Sequence, residues 1–266
     1  MAATTWRPAF SIRTSDGSPI SSIVRRSASR ICAALSTRMR NRSVPLVLDC
    51  RQDPGRPRAP AGRRRMHQAL VNLDGRIVDA REAKVSVFDH GFLFGYGVYE
   101  TLRTYRRVPF LFDRHLRRLR ESAAALAIPV PLADDEIRER VARTVDALPG
   151  EGEGYIRLLL TRGPGEFSYD PAACASPTLV IIVRPFAEPP AAVFERGIRI
   201  ALVSVMRNHP ASVDPRIKSN NLLNNALAMQ EALRRGADEA LMKNYRGELA
   251  ECAQSNLFVV RSGRAL

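Results

Sequence analysis

A chain of 266 residues, 45% hydrophobic and 26% charged, is long enough for one large domain or two modest ones with a buried core. Its longest strongly apolar run, LVIIV at 179–183, falls far short of the ~20 residues of a bilayer span, so no membrane segment is expected. The net charge of +14 invites a nucleic-acid partner, but residues 1–65 hold 14 arginines and three acids, whereas residues 66–266 hold 27 basic and 24 acidic residues. The basicity belongs to the leader, and a nucleic-acid role is not expected for the rest.

The leader, 1–65, is rich in Ser, Arg and Pro and lacks a long apolar segment. It reads as a mostly disordered stretch: either an organellar transit peptide or the product of a start placed upstream of Met66, the second implying a cytoplasmic protein. From residue 66 the pattern mixes strands and helices. QALVNLDGRIVDA reads as a hairpin around Asp74-Gly75. KVSVFDHG reads as a further strand, and GVYETLRTYRRVPFLF as two more joined near Arg106-Arg107. Asp113 is expected to cap a helix with Leu116, Leu119, Ala123 and Leu126 on one face. LADDEIRERVARTVDALPG reads as a second helix, opened by acids and ended by Pro149-Gly150.

GYIRLLLTRG and PTLVIIVRP read as buried strands, and the proline-rich RPFAEPPAAVFERG at 184–197 as a linker. Beyond it follow a strand IRIALVSV, a loop bearing a lysine, a helix near 221–235, a hairpin DEALMKNYRGELAE and a strand NLFVV. The fold class is mixed, α+β or α/β, with much antiparallel pairing. Cysteines 32, 50, 174 and 252 have no metal-ligand spacing and read as free thiols in a reducing compartment; the four histidines are scattered, and no metal site is expected.

Only three of the 41 basic residues are lysines: Lys84, Lys218 and Lys243. Lys218 follows Ile217 at what reads as the end of an apolar strand, two residues from Arg216. Burial and a nearby cation both favour the neutral amine, the form that attacks a carbonyl. A solvated lysine at a strand end is the alternative reading of the local context. Lys84 begins a strand and Lys243 lies in a hairpin turn, so neither competes strongly.

The segment from RIKSNNLLNNALAMQEALRRGADEALMKNYRGELAECAQSNLFVV resembles fold-type IV pyridoxal-phosphate enzymes, the group of branched-chain and D-amino-acid aminotransferases and aminodeoxychorismate lyase. VSVFDHGFLFGYGVYETLRTY, LFDRHLRRLRESAAAL and YIRLLLTRG resemble three further blocks of that family, in the same order. The resemblance implies pyridoxal 5'-phosphate as cofactor and Lys218 as the residue that carries it. It implies that Glu251 faces the ring nitrogen, that Arg118 meets the phosphate, and that Leu223 lies near the ring where some members carry a tyrosine.

The branched-chain members further imply Tyr155, Arg157 and Arg103 near the substrate carboxylate, with Phe94 and Tyr99 as walls of the side-chain pocket. D-specific members place Arg and His in the loop after TRG; here that loop is PGEFSYDP, with neither. The expected reaction is therefore transfer of an amino group from an aliphatic, branched-chain L-amino acid to a 2-oxo acid. Aminodeoxychorismate lyase and D-amino-acid aminotransferase are the alternatives, and a homodimer is implied.

The family continues for several more elements where this chain stops at VVRSGRAL. The expected organisation is thus a leader (1–65), an N-terminal α+β domain (66–185), a linker (186–196) and an incomplete, C-terminally truncated cofactor-binding domain (197–266). Such a truncation predicts marginal stability, and an inactive remnant is the non-enzyme alternative.

Overall fold

The computed structural model describes residues 10–13, 19–22, 68–261 and 264–265. Most of the leader, with its expected disorder, lies outside these residues; within it, β1 (Phe10–Arg13) and β2 (Pro19–Ser22) pair antiparallel. Two compact units partition the chain. One comprises residues 57–187 with 216–221; the other comprises 1–56, 188–215 and 222–266.

The first unit is built on a six-stranded antiparallel sheet in the order β4-β3-β8-β7-β5-β6. Its strands are β3 (Leu70–Leu73), β4 (Arg76–Asp79), β5 (Gly97–Tyr105), β6 (Val108–Pro109), β7 (Gly154–Thr161) and β8 (Thr178–Pro185). The Asp74-Gly75 turn has φ of 49° and 97°, the left-handed pair that a two-residue hairpin requires. Arg106 and Arg107, at 51° and 61°, close β5 to β6 in the same way without a glycine.

Strict alternation along β7 buries Ile156, Leu158 and Leu160 and leaves Tyr155 and Arg157 on the other face. Helices α2 (Phe112–Ala125) and α3 (Asp134–Asp146) supply Leu116, Leu119, Ile137 and Val141 to the same core. A four-residue helix α1 (His90–Leu93) starts at Asp89, whose buried carboxylate accepts from the Gly91 N–H and from the hydroxyls of Thr161 and Thr178.

The second unit has a three-stranded sheet, β11-β10-β9, from β9 (Ile200–Leu202), β10 (Glu239–Lys243) and β11 (Leu249–Cys252), with α4 (Ala191–Arg196) and α5 (Leu223–Arg234). The parallel pair β9–β10 needs a crossover, which contains α5. Two short strands, β12 (Val260–Arg261) and β13 (Arg264–Ala265), end it. Among the described residues no helix is long and apolar enough to cross a membrane.

Four local expectations are corrected. KVSVFDHG forms no strand: residues 84–89 are irregular apart from one bridge, Asp89 to Pro164, its last two residues open α1, and Val85, Val87 and Phe88 are at least half exposed. Alternation without a neighbouring strand does not make a ladder. Asp113 is not the cap of α2, since left-handed Leu111 holds that position; Asp113 sits in the first turn and accepts from Arg138. NLFVV is irregular until Val260. The linker contains a helix, α4, which Pro190 precedes.

Candidate active site

Lys218 lies in an irregular segment rather than at the end of a strand, yet that segment is fastened to the edge of β5. The Tyr99 N–H donates to the Lys218 carbonyl (2.9 Å), and the Asn220 N–H donates to the Gly97 carbonyl (3.0 Å). The Lys218 N–H donates to Ser122 Oγ on α2 (3.1 Å). Gly97 makes this approach feasible: a Cβ there would stand 2.9 Å from the Leu160 carbonyl oxygen and 3.1 Å from Asn220 Oδ1. Ile217 packs against the aliphatic core while the Lys218 amine lies 4.6 Å from the centre of the Tyr99 ring. Six residues, 216–221, thus belong with the first unit, where the sequence reading runs 197–266 as one domain.

The same ring carries a second cation, since the Arg157 guanidinium lies 4.2 Å from its centre. Register explains the grouping. In the β5–β7 ladder Thr101 pairs with Arg157 and Arg103 with Tyr155, so Tyr99, Arg103, Tyr155 and Arg157 share the sheet face opposite the core. Arg184 covers Tyr155 at 4.2 Å, and Arg103 lies 3.7 Å from the centre of the Phe186 ring. Each such cation–aromatic contact contributes about 0.5–1 kcal/mol at exposed sites. The face is a row of guanidinium groups seated on aromatic rings, with one amine among them, which suits a small anion bearing a carbonyl.

Arg118 projects from α2 one turn before Ser122, on the same helical face that anchors Lys218. Its Nε and Nη2 donate to the two oxygens of Glu100, at 2.5 and 2.7 Å. His115 Nδ1 lies 2.7 Å from the same carboxylate. Burial alone would raise the Glu100 pKa, but the hydrogen bonds from Arg118 and His115 outweigh it and hold the carboxyl below the usual range. The partner effect on Arg118 is upward, led by its hydrogen bond to Glu100.

Not every predicted residue joins this cluster. Phe94 ends α1, and its ring packs on His90 (4.9 Å) and Tyr169 (5.1 Å). Glu251 and Leu223 belong to the second unit. There Glu251, on β11, forms an ion pair with Arg207, whose Nη1 donates to Asn224 Oδ1 at 3.2 Å. Leu223 is the first residue of α5 and is 66% exposed.

Sequence reasoning passed over Glu100, His115 and Ser122. A signal for Glu100 exists: in VYETLRT it shares strand parity with the core residues Val98 and Leu102, an inward carboxylate that demands a partner. His115 and Ser122 lie three before and four after Arg118 on α2, the spacing that puts side chains on one face.

Comparison with known proteins decides the relationship. The family model for amino-transferase class IV matches residues 97–266. The chain belongs to this family. Its class IV relatives include a Methanocaldococcus jannaschii protein, named provisionally as a branched-chain-amino-acid aminotransferase, 40% identical over 73% of this chain and 66% of its own length. Another is the aminodeoxychorismate lyase of Bacillus subtilis, 30% identical over 74% of this chain and 66% of its own. The chain thus spans just under two thirds of these relatives.

Among solved structures, the branched-chain aminotransferase of Thermoproteus uzoniensis with norvaline superimposes with a TM-score of 0.67 at 33% identity, covering 74% of this chain and 66% of that one. The T.th. branched-chain amino acid aminotransferase complexed with N-(5'-phosphopyridoxyl)-L-glutamate gives a TM-score of 0.67 at 30% identity, covering 74% and 65%. This class IV chain therefore has the mixed, fold-type IV architecture of the branched-chain aminotransferases over the residues it shares with them.

Proposed function

We propose that the protein binds pyridoxal 5'-phosphate and transfers an amino group from an aliphatic, branched-chain L-amino acid to a 2-oxo acid. The observation that carries this reading is Lys218: its backbone is held by Tyr99 and Ser122, and its amine is set on the Tyr99 ring beside Arg157. The donor set fits a phosphorylated aldehyde, with an amine for the carbonyl and, one helical turn from the Ser122 anchor, the Arg118 guanidinium for the phosphate. Glu251, already next to a cation, is the carboxylate assigned to the ring nitrogen.

When bound, the cofactor supplies the electron sink that acidifies the substrate α-carbon. The chain's own residues do the rest. Lys218 takes the proton from that carbon and later returns it. Arg157 and Arg103 offer fixed guanidinium groups to the substrate carboxylate, with Tyr155 on the same face. Tyr99 contributes an aromatic wall, and apolar walls discriminate by burial of an aliphatic side chain. Glu251 would keep the ring nitrogen protonated by accepting its N–H.

Support for this substrate comes from the Methanocaldococcus protein, named provisionally as a branched-chain-amino-acid aminotransferase, and from the Thermoproteus branched-chain aminotransferase. The lyase reading shares the lysine and the cofactor, and the Bacillus relative keeps it as the second candidate. The test is borohydride reduction of the protein with cofactor, followed by peptide mapping. Label on Lys218, absent from Lys218→Ala, is expected. Equal covalent uptake by Lys218→Ala ends the proposal. Assay with leucine and with an aminodeoxychorismate-type substrate then separates the two reactions.

A further inference from the structure

Glu100 has no role in the chemistry above, yet it is the most deeply buried acid near Lys218, with none of its side chain exposed. It lies on β5 between Val98 and Leu102, with its neighbour Tyr99 under the lysine amine. Taking a carboxylate out of water costs several kcal/mol, and pairing it with a guanidinium is often no better for stability than an apolar pair of similar volume. Stability alone therefore does not account for an acid at this position.

Its geometry does. Both carboxylate oxygens are used on Arg118, through Nε and Nη2, and His115 on the same helix adds a third contact. A guanidinium gripped along one edge cannot rotate. The Arg118 side chain is still 47% exposed, and among the described residues its Nη1 makes no hydrogen bond within the protein. The free edge is therefore presented in one orientation, a turn of helix away from the Ser122 hydroxyl that anchors Lys218.

We propose that Glu100 is a positioning residue: it fixes the Arg118 guanidinium so that its open edge receives the cofactor phosphate, and it governs phosphate affinity without touching the amine chemistry at Lys218. This rests on the reading of Arg118 as the phosphate ligand. A residue that only held up the fold would affect every ligand of the site alike. A positioning residue for the phosphate would affect only ligands that carry one.

The test uses the full chain and two aldehydes, pyridoxal 5'-phosphate and phosphate-free pyridoxal, with affinity read from absorbance and from borohydride trapping at Lys218. Glu100→Gln, which keeps the shape and removes the charge, is expected to weaken pyridoxal 5'-phosphate about tenfold and to leave pyridoxal within about twofold. Competition by inorganic phosphate against pyridoxal 5'-phosphate should weaken in parallel. Glu100→Asp, which keeps the charge on a shorter arm, should show a smaller change in the same direction, and it decides the matter if Glu100→Gln fails to fold. Equal losses for both aldehydes, or no loss for either, overturn the proposal while leaving Lys218 in place. Failure to trap either aldehyde at Lys218 in the parent protein removes the functional reading, and this inference with it.

Discussion

The two units bury different kinds of side chain. In the first, the core is made mainly of Leu, Ile, Val and Phe, most of them from three central strands and two helices. In the second, the described core is mostly alanine: Ala201, Ala228, Ala232, Ala237, Ala240 and Ala253 with Val203 and Met242. Burial stabilises by roughly 25 cal/mol per Å² of apolar surface, so an alanine core removes much less from water for each residue ordered. Close helix–sheet approach is what small residues allow; a large hydrophobic contribution is not. The first unit should therefore hold most of the stability, and the second should open first.

The largest effect should come from truncating the first core. Leu158→Ala is expected to cost about 2–5 kcal/mol, whereas Ala232→Gly, the corresponding truncation on α5, should cost about 1 kcal/mol. Denaturant titration of both variants checks this, and amide exchange should show β7 and β8 outlasting β9 to β11. If Ala232→Gly is the costlier change, the comparison is wrong.

Next in size is Gly163→Ala, at more than about 2 kcal/mol. Gly163 follows β7 with φ of 94°, and a Cβ there would fall 1.8 Å from the Ser176 carbonyl oxygen. The loss should appear in the thermal midpoint of the first unit.

Acid provides a comparison within one titration. Glu100 in the first unit and Glu231 in the second are both held below the usual carboxylate range. For each, burial pushes upward and is outweighed by hydrogen bonds, from Arg118 and His115 to Glu100 and from the Ser204 hydroxyl and N–H to Glu231. A lowered folded pKa contributes stability that is complete above the unfolded glutamate value of about 4.3. It is lost as pH falls below that value through the folded one. Glu100→Gln should flatten the acid limb for the first unit and Glu231→Gln for the second, read by amide exchange at stepped pH.

The smallest effect is chemical. Burial, reinforced by the Glu239 carboxylate, pushes the Cys252 thiol up to about 12. Iodoacetamide at neutral pH should therefore leave Cys252 unmodified in the folded protein and modify it only on opening, so its labelling rate reports on the second unit.

Much of the first unit is readable from residue types. GYIRLLLT alternates cleanly because one face is packed and the other is not, and the Asp74-Gly75 turn announces its own geometry. Lys84–Phe88 alternates just as well and yet forms nothing, since no strand lies beside it. Pairing partners distant in sequence are not a local property. The same limit explains the site. Tyr155-x-Arg157 is visible as a motif, but its placement with Tyr99 and Arg103 depends on the β5–β7 register. The fastening of Lys218 to β5 depends on contacts across about a hundred residues, which no window of the chain displays.

The excursion of residues 216–221 has a practical meaning for any effort to divide this protein. The first unit is not one continuous piece of gene. A polypeptide ending near residue 187 would contain all six strands of its sheet but lose the ribbon that covers the start of β5. The Tyr99 N–H and the Gly97 carbonyl would then stand as an open border, ready to accept a stranger's backbone. The stitch that guards that border also carries the Lys218 amine, so swapping halves between relatives must transplant both together.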